Sequence, residues 1–576
     1  MADILSALRA VAAPSSRAIR FFDLAELEFD DVQPSFVTHA ELQAQVIALA
    51  NAFRAIAGHD RPVVTILAPS TIEGLIALLA AEVAGVAHPV NYLLDAAGIA
   101  DCMNAVGSEI VVTGHQSGLK IAEKLAEVQV PSLRATVTTG RVRAGEHAVR
   151  ALIAAHPSGQ LQGRHPQADD LAALFHTAGT TGKSKVVPLT HANLLASAHG
   201  IADAWQMDGA TRIVNALPFF HVAGANLLAL GPLIRGAEVL LLSETGLRNP
   251  AVLSRHWEIV QTLRPTIIGG IPSSLVALLD VPLNGADLSS VRFCATGGAP
   301  MPATAGVAFE KQFGLQVHTI YGMTEAAGLI ATARLGTSPD YDTAGQLASG
   351  VEAGVRPFGS EVVSNAPDAV GTICIRAPQV FRGYAGLNAA EGFLPGGWFE
   401  TGDIGNIAAD GTVTISGRAK DVIIRAGNNL DPAEIEIAAN SFPGVADSAA
   451  VAMPDRYAGE VPVLYLTARA GQRIATDALE AHLRNAISDP QARPTRILVV
   501  EKLPLTSVGK VSRLHLRQWA ATKAAQDALG GHGLTASFDF VDNQMRVMPA
   551  DEASAEKVMQ VLAELGLRAI LARLPA

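Results

Sequence analysis

The N-terminal part of the chain alternates between apolar segments of two lengths. Residues 41–57 carry apolar side chains at helical spacing, and residues 72–86 are so rich in alanine and leucine that they predict a helix buried on most sides. Short β-branched runs at residues 63–67 and 109–113 predict buried strands. Strands separated by helices of this length predict a parallel sheet covered by helices on both faces. Residues 140–170 are polar and are expected to form a surface connection.

A glycine-rich stretch at residues 174–185, LFHTAGTTGKSK, interrupts this alternation. Glycines let backbone N–H groups approach an anion closely, while threonine hydroxyls and lysine ammonium groups add donors and positive charge. Residues 185–190 form a β-branched run that contains Pro188, so we predict a loop between two strands, followed by a helix with Thr190 as its N-cap. The stretch indicates a polyphosphate-binding loop, and a glycine-rich hairpin turn is the alternative interpretation.

The Walker A motif, G-x-x-x-x-G-K-[ST], is a phosphate-binding loop of similar composition. Residues 177–184 match it except at the first position, where Thr177 replaces glycine. A Walker A loop opens a helix whose N-terminus receives the phosphates, whereas a strand is predicted to follow here. A P-loop NTPase is therefore disfavoured, although it stays an alternative from another function class.

Composition narrows the class of protein. The chain has 576 residues, 49% hydrophobic and 17% charged, so it can bury large cores, and its length predicts two to four domains at about 150 residues each. The formal charge of −11 argues against a nucleic-acid-binding surface. Three widely separated cysteines fit a reducing compartment. Because we find neither a signal-peptide pattern nor an uninterrupted apolar run of about 18 residues, we predict a cytoplasmic protein without a transmembrane segment.

Three further signatures follow the glycine-rich loop: Y-G-M-T-E at residues 321–325, G-R-A-K-D at residues 417–421 and L-P-L-T-S-V-G-K at residues 503–510. Together with the loop, and in this order, they resemble the adenylate-forming superfamily, which includes acyl-CoA synthetases, luciferases and peptide-synthetase adenylation domains. The resemblance extends over residues 20–520. The chain departs from the usual residues of the family at Ala178, Ser184, Thr372 and Asn428.

The resemblance implies an α/β fold, with a large N-terminal domain of doubly wound α/β subdomains plus a small β-barrel at residues 1–417. A small, mobile α+β domain at residues 418–524 would be hinged to it at Lys420. Residues 525–576 lie beyond the usual end of the family, and their pattern predicts a β-β-α extension of unknown role. Gly533 stands where a carrier-domain attachment motif needs serine, so we reject a fused carrier domain.

The resemblance also implies a nucleotide site. In the family the glycine-rich loop holds the phosphates, a glycine-containing loop borders the adenine, an aromatic ring such as Tyr321 stacks on it, and residues matching Asp403 and Arg418 contact the ribose. A residue matching Gly427 lets the pantetheine arm of coenzyme A pass. The residues placed on the nucleotide or coenzyme in this way are Thr177, Gly179, Thr180, Thr181, Gly182, Lys183, Gly298, Ala299, Tyr321, Gly322, Asp403, Arg418 and Gly427.

Four residues are expected to carry the chemistry. Lys510 matches the lysine that bridges the substrate carboxylate and the α-phosphate, Lys185 would hold the outer phosphates, and Thr324 would donate to the α-phosphate. Glu325 offers a hard oxygen ligand suited to Mg²⁺. The resemblance thus implies ATP, Mg²⁺ and coenzyme A as cofactors or co-substrates and a small carboxylic acid as substrate. A non-catalytic adenylate-binding protein is disfavoured because both expected catalytic lysines, Lys185 and Lys510, are present.

The acid pocket is expected to involve residues 217–224 and 264–272. Its candidate residues are His221, Gly224, Asn226 and Gly270. Both segments are largely apolar, which favours a fatty or aromatic acid, although a lone histidine in an apolar run is more often a core residue. We therefore predict an AMP-forming acid–CoA ligase. Transfer of the acyl group to a carrier protein or an amine is the alternative within the family. The sequence does not decide whether the protein forms a homo-oligomer.

Overall fold

The computed structural model describes residues 3–22, 35–114, 121–177, 185–388, 390–419, 421–426, 428–469, 471–506, 511–541 and 544–572. The strands of these ranges form five sheets. Two large, mostly parallel sheets occupy the N-terminal part of the chain, and three smaller sheets follow. The predicted α/β class is confirmed.

The first part of the chain supplies a seven-stranded sheet with the order β7-β6-β5-β3-β4-β8-β9. Its pairs are parallel except for β8 and β9, which lie antiparallel on either side of residues 178–184. The predicted strands on both sides of the glycine-rich loop are therefore confirmed. The elements are α1 (Ile4–Arg9), β1 (Arg17–Phe21), β2 (Ser35–Thr38), α2 (His39–Ala57), β3 (Val63–Leu67), α3 (Ile72–Ala84), β4 (Val86–Pro89), α4 (Ala96–Val106), β5 (Ile110–Thr113), α5 (Ile121–Ala126), β6 (Ala135–Thr138), β7 (His147–Ala148), α6 (Val149–Ala155), β8 (Leu171–Thr177), β9 (Lys185–Thr190) and α7 (His191–Ala204).

Local sequence sets where these helices begin. Thr190 accepts a hydrogen bond from the N–H of Asn193, and the Asn193 side chain accepts the Thr190 N–H at 3.0 Å, so the predicted N-cap of α7 is confirmed. Helix α3 buries every residue except Glu73, as its alanine and leucine content predicts. The expectation that residues 140–170 form only a polar surface connection is wrong, because this range contains β7 and α6. Helix α6 buries only Val149 and Leu152, which is too weak a pattern to recognise.

The second sheet has nine strands in the order β16-β15-β14-β13-β12-β10-β11-β1-β2. Its inner strands are parallel, so their carboxyl ends meet at one edge, where ligands of such sheets bind. The elements are β10 (Arg212–Val214), a π-helical segment (Ala223–Leu230), α8 (Gly231–Leu233), β11 (Glu238–Leu241), a 3₁₀ turn (Gly246–Arg248), α9 (Pro250–Ser254), α10 (His256–Leu263), β12 (Ile267–Gly270), α11 (Pro272–Leu278), β13 (Phe293–Gly297), α12 (Ala303–Phe313), β14 (Val317–Tyr321), a 3₁₀ turn (Thr324–Ala326), β15 (Ala331–Thr332) and β16 (Gln346–Leu347).

An antiparallel five-stranded sheet corresponds to the predicted small barrel. Its strands are β17 (Glu352–Arg356), β18 (Gly371–Arg376), β19 (Phe393–Leu394), β20 (Trp398–Ile407) and β21 (Val413–Arg418). The Asp410–Gly411 turn joins β20 to β21, with Gly411 at a φ of 83°. The register of this hairpin places Asp403 directly opposite Arg418.

The C-terminal part contains an α+β unit whose sheet has the order β23-β22-β25-β24, with β26 parallel to β25. Its elements are β22 (Ile423–Arg425), β23 (Asn428–Leu430), α13 (Pro432–Asn440), β24 (Val445–Asp455), β25 (Gly459–Ala468), α14 (Thr476–Ala486), β26 (Arg496–Val499) and α15 (Arg513–Gly531). The Asp-Pro pair at residues 431–432 predicts a helix with Asp431 as its N-cap, and Asp431 does cap α13 by accepting the Ala433 N–H at 2.9 Å.

The predicted β-β-α extension is confirmed as β27 (Ala536–Val541), β28 (Gln544–Pro549) and α16 (Ala555–Glu564), and β29 (Ala569–Leu571) adds a parallel strand to β28. Helix α15 continues past residue 525, where the extension was expected to begin. Its first half packs on the α+β unit through Leu516 and Ala520, and its last turns pack on the extension through Ala525 and Leu529. No helix in the described ranges has the length and apolarity needed to cross a membrane.

Candidate active site

Side chains from β14 and from the β20–β21 hairpin meet at Asp403. The Tyr321 hydroxyl, at the end of β14, donates to Asp403 Oδ2 at 2.8 Å. Arg418 Nε donates to Asp403 Oδ1 at 2.8 Å across the β20–β21 hairpin. Asp403 is only 6% exposed, and its backbone N–H donates to Thr401 Oγ1 at 3.1 Å. The carboxylate is thus held rigidly by two donors, and each oxygen keeps acceptor capacity for a further hydroxyl donor.

Burial and the Asp403 charge raise the pKa of the Tyr321 phenol well above its ordinary value, so this hydroxyl stays protonated and remains a donor. The Asp403 charge also raises the pKa of Arg418. The structure therefore brings Tyr321, Asp403 and Arg418 together, as the resemblance implies for a ribose and adenine site. The stacking of Tyr321 on adenine stays a prediction.

Glu325 lies in the 3₁₀ turn that follows β14, and it is 6% exposed. Its Oε1 accepts a 2.7 Å hydrogen bond from the Tyr384 hydroxyl. Burial raises the pKa of Glu325, and the hydrogen bond from Tyr384 opposes this rise. Among the described residues no cationic side chain forms an ion pair with Glu325. The charges of Arg418 and Lys185 oppose the rise in pKa without forming an ion pair, and a bound cation would stabilise this buried carboxylate further.

These features fit Mg²⁺, which binds one or two carboxylates together with substrate phosphates. No cluster of three or more histidine, cysteine or acidic side chains suited to a metal occurs in the described part of the chain. Thr324, next to Glu325, is half-buried in the same turn.

Lys185 is the first residue of β9 and lies opposite Thr177, the last residue of β8. Its ammonium group forms an ion pair with Glu391 and lies 4.5 Å from the ring centroid of Tyr384. Lys185 and Thr177 therefore flank the predicted phosphate loop. The loop residues Gly179, Thr180, Thr181, Gly182 and Lys183 lie outside the described residues, as do Lys420, Gly427 and Lys510.

The candidate glycines have different structural roles. A Cβ on Gly322 would lie 1.9 Å from the carbonyl oxygen of Gly328, so close packing alone requires glycine there. Gly298 has a φ of 83°, and a Cβ there would meet no atom within 4 Å, so this glycine, beside Ala299, faces open space at the end of β13. Open space beside Gly298 is compatible with the expected adenine contact.

Two of the acid-pocket candidates, Asn226 and Gly224, are buried. Asn226 is 2% exposed, and its amide donates to the carbonyl oxygens of Leu194 and Ala327 at 3.1 and 3.0 Å. Asn226 therefore braces the turn that carries Glu325. A Cβ on Gly224 would lie 2.4 Å from the Pro218 carbonyl oxygen, which accounts for glycine at this position.

Two other candidates lie nearer to accessible space. His221 is half-buried, and its ring lies 4.8 Å from that of Phe220. A Cβ on Gly270, at the end of β12, would lie 2.9 Å from Leu247 Cδ1, so Leu247 covers this strand end. Contact of His221, Gly224, Asn226 or Gly270 with an acid stays a prediction.

Sequence reasoning missed Tyr384 and Glu391. Tyr384 follows Gly383 in the connection between β18 and β19, and only its aromatic ring beside a glycine could have signalled a role. Its partners Glu325 and Lys185 belong to other segments of the chain, so no local pattern reveals these contacts.

The chain is similar to known proteins over most of its length. The AMP-binding enzyme family model matches residues 12–385, and the model of the AMP-binding enzyme C-terminal domain matches residues 434–510. A marinolic acid–CoA ligase from Pseudoalteromonas sp. is 29% identical over 532 residues, which is 89% of this chain and 81% of that protein. A feruloyl-CoA synthase from Amycolatopsis sp. is 30% identical over 486 residues, covering 84% of this chain and 94% of the relative.

Among solved structures, ATP-bound MatB from Rhodopseudomonas palustris aligns with a TM-score of 0.79 and 25% identity, covering 91% of this chain and all of that chain (100%). The chain therefore belongs to the AMP-binding enzyme family. It has the fold of the adenylate-forming enzymes and is an AMP-forming acid–thiol ligase of the acyl-CoA synthetase type.

Proposed function

We propose that the protein converts a fatty or aromatic carboxylic acid to its acyl-adenylate with ATP, releases pyrophosphate, and transfers the acyl group to coenzyme A. The observation that carries this proposal is the convergence of Tyr321 and Arg418 on the buried carboxylate of Asp403. The phosphate loop of a P-loop NTPase does not require an aspartate held by a tyrosine and an arginine. The CoA ligases among the relatives support coenzyme A as the acceptor.

In the first half-reaction, a carboxylate oxygen of the acid attacks the α-phosphorus of ATP, and the bond to the pyrophosphate leaving group breaks. Asp403 would accept hydrogen bonds from the ribose hydroxyls, and Lys185 would hold the outer phosphates. Lys510 would neutralise charge between the carboxylate and the α-phosphate, and Thr324 would donate to that phosphate. When bound at Glu325, Mg²⁺ would supply further neutralisation of phosphate charge.

In the second half-reaction, the thiol of coenzyme A loses its proton and attacks the acyl carbonyl carbon, and AMP leaves.

We propose that residues 418–524 rotate about Lys420 against residues 1–417, which withdraws Lys510 and brings Gly427 to the coenzyme. Strand β21 ends at Arg418 and β22 begins at Ile423, so a short connection joins the two units. On the far side of Lys420, Asp421 pairs with Arg517 at 3.1 Å.

The side chains around the predicted pocket support the proposed substrate class. Phe220 and Leu247 are 7% and 5% exposed and lie beside the candidates His221 and Gly270. These apolar neighbours of the candidate residues support an acid with a hydrocarbon or aromatic body. A carrier protein or an amine is the alternative acceptor.

Acid-dependent exchange of labelled pyrophosphate into ATP tests the first half-reaction without coenzyme A. A panel of short, medium and long fatty acids, aromatic acids and strongly polar diacids separates the substrate classes. We expect exchange with one fatty or aromatic class, and addition of coenzyme A should then yield the thioester. Exchange only with polar diacids would contradict the proposed substrate class, and exchange without thioester formation would favour the other acceptors.

A further inference from the structure

Tyr384 touches two of the residues expected to act on the phosphates. Its hydroxyl donates to Glu325 Oε1 at 2.7 Å, and its ring centroid lies 4.5 Å from Lys185 Nζ. The first contact is a hydrogen bond to a buried carboxylate, and the second is a cation–π contact. A single side chain thus joins the expected metal ligand to the expected phosphate-binding lysine.

The backbone around Tyr384 strengthens this link. The Phe381 N–H donates to the carbonyl oxygen of Glu325 at 2.8 Å, and the Ala385 N–H donates to the carbonyl oxygen of Val186 at 3.0 Å. The segment 381–385 is therefore hydrogen-bonded at one end to the turn that carries Glu325 and at the other to β9. Because β9 belongs to the seven-stranded sheet and the turn follows the nine-stranded sheet, this segment bridges the two sheets.

Packing fixes the orientation of the Tyr384 ring. Phe381 meets it edge to face, with the centroids 4.8 Å apart and the rings at 70°. Phe381 is itself 2% exposed and makes a second edge-to-face contact with Phe399 at 5.1 Å. Since the ring is held by buried neighbours, its hydroxyl can hold the Glu325 carboxylate in one orientation.

Lys185 is held from two directions. Glu391 pairs with its ammonium group, and the Tyr384 ring lies against the same group. Glu325 Oε1 accepts the hydrogen bond from Tyr384, so this contact leaves the acceptor capacity of Oε2 for a cation. Partners of metal-binding carboxylates orient them in this way, and their loss commonly weakens metal binding.

We propose that Tyr384 is a positioning residue: its hydroxyl orients Glu325 toward the metal bound to ATP, and its ring places Lys185 toward the phosphates. The inference rests on the proposed function, since it assumes that ATP and a divalent cation bind here. It predicts that the hydroxyl and the ring have separable roles. The hydroxyl acts on metal-dependent binding, and the ring acts on phosphate binding with or without metal.

The test compares Tyr384→Phe, which removes only the hydroxyl, with Tyr384→Leu, which removes the hydroxyl and the aromatic ring. Binding of ATP is measured by calorimetry with and without Mg²⁺, and binding of Mn²⁺ in the presence of ATP is measured by electron paramagnetic resonance. We expect Tyr384→Phe to weaken Mn²⁺ binding about tenfold while metal-free ATP binding stays unchanged. Tyr384→Leu is expected to weaken both.

Tyr341→Phe is the matched control. The Tyr341 hydroxyl donates to Glu310 at 2.9 Å, a tyrosine–glutamate contact of the same kind that lies outside the site. This variant should bind metal and ATP like the wild type, and thermal melting of every variant checks its folding. Unchanged Mn²⁺ binding in folded Tyr384→Phe, or equal losses with and without metal, would overturn the inference. If the wild-type protein itself bound no ATP, the proposed function would fail, and the inference with it.

Discussion

The hydroxyl of Tyr321 and the carboxylate of Asp403, 82 residues apart in sequence, form a buried hydrogen bond of 2.8 Å. The bond joins the end of a strand of the nine-stranded sheet to a strand of the antiparallel sheet. It therefore fixes the acceptor expected to bind the ribose relative to the ring expected to bind the adenine. Its removal should affect nucleotide binding more than folding.

Tyr321→Phe keeps the ring but removes the donor to Asp403. Hydrogen bonds to charged groups contribute roughly 1.5–3 kcal/mol, so we expect KM for ATP to rise about tenfold while KM for the acid changes little. Asp403→Ala should raise KM for ATP further. Pyrophosphate-exchange kinetics measure both constants, and an unchanged KM for ATP in Asp403→Ala would remove Asp403 from the nucleotide site.

Lys510→Ala should abolish most of the adenylation rate while ATP still binds. Removal of one donor to developing charge typically costs about 10²–10³ in kcat, so exchange should fall by that factor. Transfer from a chemically prepared acyl-adenylate to coenzyme A should persist, because Lys510 is expected to act only in the first half-reaction. Lys502→Ala, an exposed lysine eight residues earlier in the sequence, is the control. Adenylation near the wild-type rate in Lys510→Ala would remove this lysine from the site.

Lys420→Pro tests the expected hinge. Proline fixes the backbone φ, so the variant should adenylate normally but form the thioester slowly. Lys420→Ala, which keeps the backbone free, should support both half-reactions. The two half-reactions are measured separately, by pyrophosphate exchange and by thioester formation. Equal losses in both half-reactions of Lys420→Pro would argue against a hinge at this residue.

The buried carboxyl group of Glu82 makes the stability of the folded protein depend on pH. It is 4% exposed on α3, its Oε2 has no hydrogen-bond partner among the described residues, and burial raises its pKa to about 8 from an ordinary 4.5. The unfolded chain releases this proton near pH 4.5 and the folded chain only near pH 8, so the folded state loses stability as the pH rises between these values.

Glu82→Gln should remove this dependence and raise the free energy of unfolding at pH 8 by on the order of 3 kcal/mol. Thermal melts between pH 5 and pH 8, approximately the window between the two pKa values, measure the effect. Glu73→Gln on the same helix should leave the pH dependence in place. A melting profile of Glu82→Gln parallel to that of the wild type would show that Glu82 does not carry the effect.

Gly322→Ala should destabilise the protein, because the new methyl group would lie 1.9 Å from the Gly328 carbonyl oxygen. The backbone must move, and we expect a loss on the order of 2 kcal/mol together with weaker adenylation, since Glu325 lies three residues further on. Gly530→Ala in α15, where a Cβ meets nothing within 4 Å, should leave the melting temperature unchanged or higher. Unaltered melting of Gly322→Ala would contradict this account of Gly322.

The sequence predicted the features that depend on local pattern. The strands on both sides of the glycine-rich loop, the caps at Thr190 and Asp431 and the two-strand, one-helix extension each follow from a few neighbouring residues, and each is confirmed. Helix α6 and strand β29 were missed because they are short and bury few side chains.

The features of the site that depend on distant contacts were not predictable in this way. Lys185 and Glu391 are 206 residues apart, and Glu325 and Tyr384 are 59 apart. Their meeting depends on the packing of the two large sheets and on the segment that bridges them. The likeness to the family supplied Asp403 and Arg418, but only their register in the β20–β21 hairpin explains why they touch.

The most direct test of the central claim is to determine which phosphate bond of ATP is cleaved. The purified protein is incubated with ATP labelled at the α-phosphate, coenzyme A and an acid that supports exchange, and the nucleotide, phosphate and thioester products are measured together. The account predicts equal amounts of AMP, pyrophosphate and acyl-CoA, with none formed in the absence of the acid. Formation of ADP and inorganic phosphate, or acid-independent turnover, would contradict it.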